Sequence, residues 1–133
     1  MKAQLWFYKA PGKFFDKVIR WWTKSRYSHV EIVVGGIACA ADAWSGKVRT
    51  APITTFNRDN WDVVEVELQK DAPWLLDQVG KGYDWLGILG LITLGFDDPS
   101  RWYCSELAAA AMGLSPRQVS PGELYSKISG DIA

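Results

Sequence analysis

The chain is poor in soft metal ligands: its 133 residues hold one histidine, His29, and two cysteines, Cys39 and Cys104. Neither cysteine has a neighbour at metal-ligand spacing, which argues against a Cys/His structural zinc site. No metal or other cofactor is called for. Net charge is lacking too, since 15 basic side chains balance 15 acidic ones. The electrostatic footprint of a nucleic-acid binder is therefore missing. The longest uncharged apolar run, 85–96, has 12 residues, three of them Gly, and is too short to cross a bilayer. The opening Met-Lys-Ala-Gln-Leu-Trp-Phe-Tyr reaches Lys9 with no long apolar core and no small-residue cleavage site, so no secretory signal is read. The simplest setting is reducing and cytoplasmic, with free thiols rather than a Cys39–Cys104 disulfide.

What is present is ordinary in bulk. Hydrophobic residues make up 48% and charged ones 23%, the balance of a soluble globular protein. The length suits one domain covering 1–133, with a sizeable core. The surplus is in tryptophan: eight, whose large bodies either fill the core or line a groove.

The order of elements reads as α+β. Gln4–Lys9 is a strand ended by Pro11-Gly12. Phe14, Phe15, Val18, Ile19 and Trp22 recur at a helical period, with Lys13, Asp16, Lys17, Arg20 and Lys24 on the other side. This is a core-facing helix with a solvated basic face, in preference to a membrane-surface helix anchored by Trp21 and Trp22. Ser28–Val34 and Ile37–Trp44 are strands joined by the hairpin signal Gly35-Gly36. A short strand is expected over Lys47–Thr50, a loop over Pro52–Asn60 and a further strand over Trp61–Leu68. Asp71 caps a helix with Pro73 in its first turn, running to about Val79. Ser120-Pro121-Gly122-Glu123 is a capping box ahead of a last helix, Glu123–Ile128.

Chemistry concentrates at Trp102–Gly113. Cys104 precedes Ser105, Glu106 and a run of helix formers, Leu107–Ala111, with Gly113 as the stop. This places the sulfur in the first turn, where free N–H groups and the helix dipole favour a thiolate. A lone buried cysteine is otherwise ordinary filler. A thiol nucleophile needs a base, and His29 is the sole imidazole; it lies 104 − 29 = 75 residues away, so only the fold can join them. A third group must orient the ring. Reflection about Gly35-Gly36 puts Asp42 opposite His29, about 5 Å away between Cβ atoms. Glu31 shares the strand face about 7 Å along. Asp42 is preferred over Glu31 on that distance. Tyr27 and Tyr103 are secondary candidates, as helpers or as packed aromatics.

The set Tyr27-Ser28-His29-Val30-Glu31-Ile32-Val33, Gly82-Tyr83-Asp84 and Tyr103-Cys104-Ser105-Glu106-Leu107 resembles the circularly permuted, YiiX-like branch of the NlpC-type papain-like cysteine hydrolases. The histidine strand there precedes the cysteine helix, as it does here. The lecithin:retinol acyltransferase-like proteins share that permuted architecture. The resemblance implies a permuted papain-like fold: an antiparallel sheet, forming a small open barrel, packed against the helix that carries the cysteine. It also implies Cys104 as nucleophile, His29 as base and Asp42 where the family has an acidic or polar residue on the next strand. Asp42 is one methylene shorter than the Glu often found there.

The expected function is hydrolysis of an amide bond in a peptide or peptidoglycan-like peptide, by a cysteine peptidase of phage or bacterial type. Two alternatives stand beside it. One is an acyl-lipid ester or thioester hydrolase or acyltransferase, which suits the Trp-rich and apolar stretches. The other is a non-enzymatic phage accessory or binding protein on the same fold.

Overall fold

A computed structural model of the chain describes residues 1–9, 27–42, 45–83, 104–114 and 120–129. The helix expected over Phe14–Lys24, with Trp21 and Trp22, the apolar run 85–96 and Tyr103 lie outside them. Among the described residues the chain forms five strands and three helices, an α+β arrangement. The strands are β1 (Lys2–Tyr8), β2 (His29–Val34), β3 (Ile37–Asp42), β4 (Lys47–Pro52) and β5 (Trp61–Glu67). The helices are α1 (Ala72–Gln78), α2 (Cys104–Ala111) and α3 (Pro121–Ile128).

All the pairings are antiparallel, in the order β4-β3-β2-β1-β5. The sheet is open, with β4 and β5 outermost among the described strands. The β2–β3 hairpin turns where the sequence places it. Gly35 and Gly36 have φ of 58° and 82°, the two left-handed residues of a primed turn that only glycine adopts without strain. The loop expected over Pro52–Asn60 holds two short 3₁₀ turns, Ile53–Thr55 and Arg58–Asn60.

Alternation gives the sheet two apolar faces. Leu5, Phe7, Val30, Ile32, Cys39, Ala41 and Val48 form one, packed against Leu107, Ala108, Ala109 and Ala111 of α2, Leu124 of α3 and Leu75 of α1. Trp6, Val33, Ala38 and Trp61 start the other, closed by Tyr8, Ile53, Phe56 and Val63. A sheet hydrophobic on both faces must be covered on both, and here helices cover one and the 53–60 connection the other. Alanine methyls let α2 lie close on β2 and β3, its main sheet neighbours.

Helix ends follow local chemistry. Asp71 accepts from Trp74 N at 3.0 Å, and Ser120 accepts from Glu123 N at 3.2 Å. Helix α3 starts at Pro121, two residues before the start expected from sequence, because proline's fixed φ suits the first helical position. Helix α2 ends with Leu114 N on Ala109 O (2.9 Å) and Gly113 N on Ala110 O (3.0 Å), a Schellman closure with Gly113 at φ 77°.

Candidate active site

His29 is the first residue of β2, and Cys104 the first residue of α2. Tyr27, two residues earlier, packs on the helix side against Phe7 and Tyr125, so the chain changes sides just ahead of His29. The ring there meets groups from two elements. Its Nε2 contacts Oε2 of Glu31, on the same strand face, and the Cys104 side chain lies within hydrogen-bonding reach. Since Nε2 is turned to the carboxylate, Nδ1 is the nitrogen left for the sulfur. Trp61 flanks the imidazole edge-on at 6.4 Å.

Glu31 is wholly buried, a costly place for a charge unless it is paired. Arg49 supplies the second partner: Nη1 donates to Oε1 at 2.6 Å and Nη2 to Oε2 at 2.7 Å, a bidentate fork. Burial alone would raise the carboxyl's pKa, but His29 and Arg49 together hold it below the ordinary range. For His29 burial acts downward; Glu31 and then Cys104 outweigh it and push the ring up to about 10. The imidazole is therefore a cation near neutral pH, between a carboxylate and a sulfur. Cys104 is itself buried, at 3% exposure, while the His29 side chain keeps 18%.

The preference for Asp42 over Glu31 as the nearer acid is corrected. The carboxylate on Nε2 belongs to Glu31, and Asp42 Oδ2 lies 3.5 Å from Arg49 Nε. The register about the turn is the expected one, with Ile32 opposite Cys39, but the β2–β3 ladder stops there, short of His29. Where the strands part, backbone spacing no longer ranks the two acids. Glu31 has the longer stem and lies on the ring's own strand; Asp42 is drawn to the cation on β4. Tyr27, a secondary candidate, is a core aromatic whose O–H donates to Asp62.

Arg49 is the residue that sequence reasoning misses. Its signal is positional. It pairs with Ala40 across β3–β4, and the alanine methyl leaves room for the guanidinium to pass over β3 to Glu31. A single cation at an alternating position of a short strand carries no motif, so only the assembled sheet reveals it.

The other cysteine is chemically different. Burial raises the Cys39 thiol to about 11, helped by the Glu31 charge and opposed by Arg49. No cluster of three or more His, Cys, Asp or Glu able to hold a metal exists among the described residues, and none of their helices is long and apolar enough to cross a membrane. Comparison with family models, with curated proteins and with solved structures finds no match to the chain.

Proposed function

We propose that the protein is a cysteine hydrolase of permuted papain-like type that cleaves an amide bond in a peptide or cell-wall-like peptide. The observation that carries this reading is the meeting of the sole imidazole with both a buried carboxylate and a cysteine from the opening turn of a helix. Cys104 acts as nucleophile, His29 as acid and base, and Glu31, in place of Asp42, as the group orienting the ring. The reacting form is a thiolate–imidazolium pair. The sulfur attacks the carbonyl carbon, and backbone N–H groups at the start of α2 face the developing oxyanion. The C–N bond breaks as the imidazolium proton passes to the leaving amine. Neutral His29 then takes a proton from water, the hydroxide cleaves the C–S bond, and the thiolate returns.

The test is turnover of p-nitrophenyl acetate together with mass spectrometry of the acylated intermediate. Wild type acquires an acetyl group on Cys104; Cys104→Ala acquires none and loses turnover. His29→Ala falls by about 10²–10⁴-fold, the usual contribution of a positioned acid–base group. Full turnover in Cys104→Ala rejects the reading.

A second reading, hydrolysis of an acyl ester or thioester, has one observation in its favour. A cavity of about 220 Å³ lies between the sheet and α1, lined by Ile32, Val34, Ile37, Cys39, Leu75 and Leu76. It is apolar and opens on the helix-covered face. A preference for octanoyl over acetyl esters that is lost in Leu75→Asp supports this reading over the amidase.

A further inference from the structure

We infer that Arg49 is a positioning residue: its guanidinium fork on Glu31, anchored behind by Asp42, aims the carboxylate at His29 Nε2 and so turns Nδ1 to Cys104. This rests on the reading of Cys104, His29 and Glu31 as one reactive unit, and it goes beyond that reading by adding two residues from two further strands.

The geometry runs as a chain of alternating charge. Asp42 Oδ2 lies 3.5 Å from Arg49 Nε, the two terminal Arg49 nitrogens bond both oxygens of Glu31, and Glu31 Oε2 contacts the ring. A carboxylate alone can rotate about its last bond. A planar fork on both oxygens fixes that rotation, which a lysine's single point charge does not. Glu31 Oε2 serves Arg49 and His29 together, so the orientation fixed by one is felt by the other. The burial gradient suits a positioning role. Glu31 is fully enclosed, while the Arg49 and Asp42 side chains keep 23% and 20% exposure at the outer end.

The charged and titratable groups acting on the unit lie on β2, β3, β4 and α2. His29 is faced by Glu31 and Cys104. Glu31 is faced by His29 and Arg49, and it in turn acts on Cys39 of β3. Arg49 is faced by Glu31 and Asp42. Tyr8 of β1 is the register partner of His29, and Lys47 of β4 that of Asp42. Arg49 thus reaches the ring through Glu31.

Because the chain has one histidine, the ring Hε1 proton gives a single, unambiguous NMR titration. Two readouts are taken on full-length wild type, Arg49→Lys and Arg49→Gln: the His29 titration midpoint, and the rate of Cys104 alkylation by iodoacetamide at pH 7, resolved from Cys39 by peptide mass. Positioning by the fork predicts that both variants, the charge-conserving one included, move the midpoint down toward 6.5. Alkylation then slows about 10- to 100-fold, by analogy with the loss seen when the hydrogen-bond partners behind metal-ligating side chains are removed. Asp42→Asn shifts both readouts the same way by less. If Arg49→Lys keeps the wild-type midpoint, positioning by the fork is wrong, whatever happens to melting temperature or alkylation rate. A slower alkylation with an unmoved midpoint also overturns it. Should Arg49→Gln fail to fold, Arg49→Lys carries the test. Neither readout needs a substrate, so both stand or fall separately from the hydrolysis assay.

Discussion

The two acids near His29 differ by one methylene and by the partner each has, and that difference decides their roles. Glu31 is buried between two cations and touches the ring; Asp42 is partly exposed and touches Arg49. Glu31→Gln keeps the shape but removes the charge that holds the ring cationic. We expect it to lower the proposed turnover of p-nitrophenyl acetate by about 10²-fold or more, as loss of the orienting acid does in a Ser-His-Asp triad. Asp42→Asn, acting two contacts away, is expected to cost less than about tenfold. The ratio of the two rates, measured on protein shown folded by circular dichroism, checks the assignment; a larger loss in Asp42→Asn reverses it. Cys104 and His29 are legible in the sequence as the two residue types able to form such a pair. The choice between Glu31 and Asp42 is not, because it depends on where a ladder of hydrogen bonds stops.

Most elements can be read locally because each is bounded by residues whose chemistry ends or starts a conformation. Asp71, Ser120 and the Gly35-Gly36 pair act at the positions the sequence assigns them. What cannot be read is the neighbour of each strand: β1, first in the chain, lies between β2 and β5, and its pairing with β5 joins distant parts of the sequence with no local signature. Helix α2 shows both kinds of information. Its stop is written in Gly113, and its close seat on β2 and β3 in the run of alanines. A Cβ built on Gly113 would sit 2.1 Å from Gln69 Oε1, at a φ of 77° that L side chains avoid. Gly113→Ala should therefore cost about 1–2 kcal/mol, read as a lower urea midpoint. Because the closure lies at the far end of α2 from Cys104, iodoacetamide labelling of that cysteine should stay within about twofold of wild type.

The buried charges tie the stability of the fold to pH, and the direction follows from which state holds the proton more tightly. His29 is raised to about 10 in the fold against about 6.5 when unfolded, so its contribution is full below 6.5 and drains away as pH rises toward 10. Glu31 is lowered from 4.5, so its contribution is present above 4.5 and is lost as pH falls through its folded value. The two overlap fully between about 4.5 and 6.5, where the pair stabilises the fold most. Cys39, raised from 9.0 to about 11, adds a second alkaline loss that begins only near 9. The interval from 6.5 to 9 is therefore set by His29 with no help from Cys39. Urea midpoints of wild type should decline steadily across that interval. Those of His29→Gln, which has no proton to lose there, should stay flat until about 9. Cys39→Ala should keep the early decline and soften the late one. A wild-type curve already flat from about 6.5 to 9 would mean that the imidazole is not held as a cation by Glu31, and the electrostatic basis of the reactive unit would go with it.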